Sequence, residues 1–303
     1  MNIVFFSGSD ISIPFAKALI PDINLIVTLP PKIRGRGSKV TPNPVKVFAD
    51  ENSIDVLEIE DFNEETVTNI KLHNPEAYIV FSFGKIIPKE VLELVKCPLN
   101  VHPSDLPYYR GASPIERQLM DGVSQSAVTI MKMNEKLDQG EIILKKHFEV
   151  SLYDDYYSFL EKVYEVGIPL VKEALQCCLS GTCLPIPQEG KGTYAKKITS
   201  EEEKIDWSKD AISIHNKVRA LTRIGAYSTF RGKKLKIFKT VPILDLQIEH
   251  KPGTIVEVRK DFFIVATGNG YIEVIEVQLE GKRVMNALDF INGYKPQVLE
   301  VLI

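Results

Sequence analysis

Apolar positions in the first part of this chain fall into two alternating patterns. Short runs such as 2–6, 24–29 and 77–83 are apolar almost without a break. Between them lie stretches with helical spacing, at 45–51, at 63–72 and in the segment leading to Val95. The run Ala77-Tyr-Ile-Val-Phe-Ser-Phe83 reads as a parallel strand covered on both faces. Strands alternating with helices predict an α/β layer, Rossmann-like in class. Residues 98–102 form a further strand, ended by Pro103, which has no N–H for a ladder. Ser113-Pro114-Ile115-Glu116 has the form of a capping box with proline at the first helical position, and Asp121-Gly122 predicts the stop. Residues 127–133 alternate as a strand, and 152–180 return to helical spacing with Phe159, Val163, Val166, Leu170, Ala174 and Leu175.

The pattern changes after the segment 184–208, which reads as a linker with Trp207 as an apolar anchor. One helix over 210–221 is followed by strands at 234–238, 253–258, 262–266 and 271–277. Gly268-Asn269-Gly270 is a hairpin signal, and a last helix covers 286–292. Short strands at this spacing predict a small β-barrel. The expected division is a catalytic domain over 1–186, a linker over 187–208 and a barrel domain over 209–303.

Composition changes this picture in a few places. The chain has 303 residues, 44% hydrophobic and 25% charged, which suits a globular protein of two domains. No stretch nears the roughly 18 to 20 apolar residues of a membrane span, and the N-terminus lacks the basic start of a signal peptide. Cys97, Cys177, Cys178 and Cys183 have no metal spacing, so they are expected to be thiols in a reducing cytoplasm. His73, His147, His215 and His250 are scattered, and no metal site is expected. The first βα turn contains only Gly8, where a dinucleotide fingerprint needs three spaced glycines. Residues 1–208 hold 22 Lys and Arg against 30 Asp and Glu, whereas 209–303 hold 15 against 10. A basic second domain suits a polyanionic partner.

Two stretches carry candidate chemistry. Asn100 and His102 are one residue apart on a strand, so the amide and the imidazole share a face while Val101 takes the other. A donor amide beside a titratable ring at a strand end can hold a developing oxyanion. Asp138 lies in the polar turn after 127–133, from which a carboxylate could reach His102. A long loop carries Lys32, Arg34, Arg36, Lys39 and Lys46 and no acid. Long loops are often functional, and unopposed cations beside glycines suit phosphate contacts.

Asn100-Val-His-Pro-Ser-Asp-Leu-Pro-Tyr-Tyr-Arg-Gly-Ala-Ser-Pro-Ile115, with Leu137-Asp-Gln-Gly140 downstream, resembles the signature of the folate-dependent formyltransferases. The resemblance implies catalytic roles for Asn100, His102 and Asp138 and a 10-formyltetrahydrofolate donor. It places that donor against the main chain of Gly84, Ile86, Ile87 and Pro88 and beside Ser104, Leu106 and Pro107. Thr193-Tyr-Ala-Lys196 and Ile205-Asp-Trp207 resemble the members that formylate the methionine of initiator methionyl-tRNA, and the segments 266–272 and 278–293 resemble the family's OB-like tRNA-binding domain. Their RNA contacts would fall on Arg34, Arg36, Lys39 and Lys46, with Arg36 foremost. No membrane and no obligate protein partner are expected. Ser7-Gly8-Ser9 departs from the family's Gly-Thr-Pro, and Leu221-Thr-Arg-Ile-Gly-Ala-Tyr227 stands in place of its Asn-Pro-Trp-Pro. Rival readings are a sugar-nucleotide formyltransferase or a formyltetrahydrofolate hydrolase, and a catalytically silent folate- or RNA-binding module.

Overall fold

A computed structural model describes residues 1–31, 43–244 and 249–303. The chain begins with β1 (Ile3–Phe6), α1 (Ile13–Ala18), β2 (Ile23–Thr28), α2 (Pro44–Glu51), β3 (Asp55–Glu58), α3 (Glu64–Leu72), β4 (Ala77–Val80) and α4 (Lys89–Leu92). Next come β5 (Cys97–His102), α5 (Pro114–Asp121), β6 (Gln125–Lys132), β7 (Glu141–Glu149) and α6 (Tyr156–Ser180). The last elements are α7 (Ala211–Ala220), β8 (Ala226–Phe230), β9 (Lys233–Ile243), β10 (Ile255–Val258), β11 (Phe263–Ala266), β12 (Tyr271–Leu279), β13 (Met285–Asn286) and α8 (Ala287–Tyr294). Two compact units result, and both are discontinuous in sequence. One holds Met1–Ala112, Ser126–Phe148 and Glu161–Ala195, the other Ser113–Gln125, Glu149–Leu160 and Lys196–Ile303.

The first unit is built on a seven-stranded sheet of order β3-β2-β1-β4-β5-β6-β7. Its β3, β2, β1, β4 and β5 are parallel, and β6 runs antiparallel to β5. β1 and β4 are buried along their whole length, as the unbroken apolar runs predict. Val4, Phe6, Tyr78 and Val80 pack on one side with Ile70, Phe83 and Val91. Phe6 meets Tyr78 and Phe83 edge-on at 5.1 and 5.4 Å. At the departure Ser7-Gly8-Ser9, a Cβ on Gly8 would lie 3.0 Å from the Phe83 carbonyl oxygen, so the turn sits tight against the end of the β4 segment.

Pairing of all four cysteines overturns the expected thiols. Cys97 at the start of β5 is bonded to Cys178 near the end of α6, and Cys177 to Cys183. The Cα atoms lie 5.9 and 5.0 Å apart, within reach of such bonds. Sequence spacing could not show that β5 begins beside the end of a helix 81 residues later. With the cysteines paired, they are no argument for a reducing compartment.

In the second unit, α5 packs on α7, and a Cβ on Gly122 (φ +69°) would come within 2.6 Å of the Asn216 amide. The Ser113 side chain makes no capping bond, contrary to the box reading. Arg117 instead fixes α5 by a two-pronged pair with Glu202, at 2.7 and 3.0 Å, and by a bond to the Lys196 carbonyl. Trp207 is buried and donates to Ser228 Oγ at 2.9 Å, as an anchor should.

The expected barrel is not closed among the described residues. The sheet runs β10-β11-β12-β9-β8, with β13 pairing off β12. Its two edge strands bond the C-terminal tail instead of each other. The Ile255 N–H donates to the Glu300 carbonyl, and Thr229 exchanges both main-chain bonds with Ile303. A tail wedged at both edges satisfies the groups that a closing ladder would otherwise pair.

Candidate active site

Asn100 and His102 stand at the C-terminal end of a central strand. Asn100 pairs in register with Val80 of β4 and Met131 of β6, and His102 with Thr129. Order reverses between β1 and β4 in this sheet, and ligands of open α/β sheets gather where strands end near such a reversal. As the alternation predicts, Val101 is buried, while Asn100 stays half-buried. His102 is only 4% exposed, so its ring contacts are set by the protein.

The His102 ring lies between two acceptors. Its Nε2 is 2.9 Å from the Tyr109 carbonyl oxygen, and Nδ1 is 3.9 Å from Asp138 Oδ2. An imidazolium can donate through both nitrogens, whereas the neutral ring has a single N–H. The 3.9 Å separation is an ion-pair distance, longer than a hydrogen bond. Asp138 meets two further donors. The Gly111 N–H reaches Oδ2 at 2.8 Å, and the Asn100 amide reaches Oδ1 at 3.4 Å. Asn100, His102 and Asp138 are therefore brought together, from two segments 36 residues apart or more, around one carboxylate.

The turn that presents Asp138 is tightly constrained. Asp138 has φ +52°, a left-handed conformation uncommon for a residue with a side chain. Two residues on, a Cβ on Gly140 would stand 1.8 Å from the Lys132 carbonyl oxygen, so only glycine fits. The spacing Asp138-Gln-Gly140 is thus a steric requirement of the turn.

The expected donor-binding residues divide by exposure. Gly84 has φ +76° and open space where a Cβ would lie, and Ile86 is 70% exposed. Pro88 and Pro107 are partly exposed. Ile87, Ser104 and Leu106 turn inward: Ile87 is 5% exposed and the others 0%, and Ser104 Oγ donates to the Tyr108 carbonyl at 2.7 Å.

Of the expected RNA-contacting cations, Arg34, Arg36 and Lys39 lie outside the described residues. Lys46 lies in α2, not in a loop, and its ammonium pairs with Glu58 at 2.8 Å. That hydrogen bond raises the Lys46 pKa and leaves its charge opposed. The expectation of an unopposed cation does not hold there.

Sequence reading missed the segment 188–195, which it treated as linker. The Arg110 N–H donates to the Thr193 carbonyl at 2.9 Å, and the Ala195 N–H donates to the Arg110 carbonyl at 2.6 Å. Thr193 Oγ1 accepts from the Tyr109 N–H at 2.9 Å, next to the carbonyl that holds His102. Gln188 reaches the Asp138 turn directly, accepting from Arg110 and donating to two carbonyls. The one available signal was Thr193-Tyr-Ala-Lys196, a motif too specific for a plain connector.

Comparison with known proteins fits this geometry. Residues 13–175 match the family profile described as formyl transferase, and residues 197–295 match the one described as formyl transferase, C-terminal domain. A methionyl-tRNA formyltransferase of Syntrophomonas wolfei is 40% identical, over 97% of this chain and 96% of the relative. Another, of Caldicellulosiruptor saccharolyticus, is 39% identical over 100% of both. Among solved structures, HypX from Aquifex aeolicus in complex with tetrahydrofolic acid shares the fold. It has a TM-score of 0.69 at 21% identity, over 98% of this chain and 48% of that one. Matched in both halves and alike to these relatives along their full length, the chain belongs to the formyl transferase family, alongside the methionyl-tRNA formyltransferases.

Proposed function

We propose that this chain transfers the formyl group of 10-formyltetrahydrofolate to the α-amino group of methionine on initiator methionyl-tRNA. The observation that carries the reading is full-length likeness to relatives named for that reaction, the C-terminal part included. The donor supplies the formyl carbon. The amine forms the new C–N bond, the bond to N10 breaks, and the proton lost by the amine ends on N10.

The chain's own groups would act around that exchange. The Asn100 amide donates to the oxygen that gains charge, and so does His102 through the N–H now held by the Tyr109 carbonyl. Asp138 holds the imidazolium in place and the Asn100 amide with it. Open main chain at Gly84 and the exposed Ile86 give a flat heterocycle a place beside the end of β4. RNA would be held by the segment bearing Arg34, Arg36 and Lys39, which lies outside the described residues, and by the domain over 209–303. Residues 1–186 would form the catalytic domain and 187–208 a linker that also scaffolds the site. Among the described residues no helix is long and apolar enough to cross a membrane. A role in translation initiation would be carried out in the cytoplasm.

Formyl transfer from labelled donor to charged initiator tRNA tests the reading, with charged elongator tRNA and water as competing acceptors. Label on initiator methionine is expected. Release of formate without labelled tRNA would identify a hydrolase instead.

A further inference from the structure

Gln188 lies in the segment connecting the two parts of the chain, yet all four of its side-chain hydrogen bonds go to the candidate active site. Its Oε1 accepts from Arg110 Nε and Nη2 at 3.0 and 2.7 Å. Its Nε2 donates to the carbonyls of Asp138 and Gly140 at 3.0 and 2.8 Å. The amide therefore ties the strained turn carrying the carboxylate to an arginine on the segment after β5. Both partners are confined. Arg110 is 8% exposed, and a Cβ on Gly192 would stand 2.8 Å from its guanidinium carbon. Asp138 holds φ +52°, where a side-chain-bearing residue persists only if its surroundings fix it.

We propose that Gln188 is a positioning residue for formyl transfer, acting through Asp138 by holding the 138–140 turn in the conformation that aims the carboxylate at Asn100 and His102. This rests on the formyl-transfer reading above. Two donated bonds to carbonyls of one turn, those of Asp138 and Gly140, are a device a carboxylate cannot reproduce, because it has no N–H to give. Arg110, by contrast, would accept a carboxylate in the same place as readily as an amide oxygen. Gln188→Glu thus cuts the turn side of the bridge and keeps the arginine side.

The test is a kinetic cycle on the full chain. Gln188→Ala, Gln188→Glu, Asp138→Asn and the double variant Gln188→Ala/Asp138→Asn are assayed for kcat and for KM of both donor and charged initiator tRNA. Thermal unfolding confirms that each is folded. Both Gln188 variants should lose about 10- to 100-fold in kcat, since about 1 Å of misplacement can cost 10²-fold, with each KM within roughly threefold of wild type. In the Asp138→Asn background, Gln188→Ala should cost less than about twofold, because the group it positions is already gone. Arg110→Lys, which cannot give Gln188 Oε1 two bonds from one planar fork, should reproduce part of the kcat loss if a Gln188 variant fails to fold. Wild-type kcat in Gln188→Glu, a loss confined to KM, or the full loss repeated on top of Asp138→Asn would each overturn the proposal. A wild-type chain that labels no tRNA would overturn the parent reading, an outcome distinct from an active wild type indifferent to Gln188.

Discussion

Replacing Gly140 by Ala puts a methyl group 1.8 Å from the Lys132 carbonyl oxygen, where ordinary contact begins at about 3.4 Å. The obstacle is main chain at the end of β6, which cannot swing aside as a side chain would. About 1.6 Å of movement must therefore be absorbed, and the turn carrying Asp138 is the softer partner. Asp138 is two residues away, and Gly140's own carbonyl is one of the two that Gln188 holds. Displacing the carboxylate by even 1 Å breaks the 2.8 Å bond from the Gly111 N–H and lengthens the 3.9 Å approach to His102. Misplacement on that scale costs about 10²-fold in catalysis, whereas overpacking typically costs about 1–3 kcal/mol of stability. Gly140→Ala should remain folded at 25 °C while losing about 10²-fold or more in kcat/KM. The measurements are formylation kinetics on charged initiator tRNA and a thermal unfolding curve on the same sample. A variant with wild-type kcat/KM would show that the turn's placement does not matter, and with it the role given to Asp138 would fall.

Other expected outcomes follow from the same structure. His102→Ala and Asp138→Asn should keep the fold and lose about 10²- to 10⁴-fold in turnover, and Asn100→Ala about 10²- to 10³-fold; near-normal activity in a folded Asn100→Ala/His102→Ala chain would refute the assignment. Hydrogen bonds from Arg117, then the Thr199 N–H, hold Glu202 down to about 2, so its contribution to stability is full above the ordinary value of 4.5 and is lost as pH falls through about 2. The gap in melting temperature between wild type and Glu202→Gln should accordingly narrow from pH 6 towards pH 2, and because the pair is partly exposed the gap should also shrink in salt; a gap that widens towards acid would contradict the pairing. Arg36→Lys should already impair initiator-tRNA formylation and Arg36→Ala more so, with donor binding unchanged, because a guanidinium can bond bidentately and an ammonium cannot; wild-type formylation by Arg36→Ala over a salt series would reduce the loop to a surface segment.

Local rules sufficed for most elements, although β8 and β13 were not among the strands read from the sequence. Short, nearly unbroken apolar runs read as strands covered on both sides, and β1 and β4 do lie inside the sheet. The one-residue spacing of Asn100 and His102, with Pro103 to stop pairing, made a strand-end site legible before any coordinates. What sequence could not show was which distant groups share a neighbourhood, because that depends on chain path and not on period. Gln188 reads as an ordinary linker residue until β5 and the 138–140 turn are seen to bracket it. Cys97 and Cys178 look unrelated until the start of β5 meets the end of α6. Lys46 reads as a free cation until Glu58 on the neighbouring strand opposes it. The barrel stays open for a similar reason. Strand lengths and turns predicted its parts, but closure depends on what occupies the edges, and here the last five residues occupy them first.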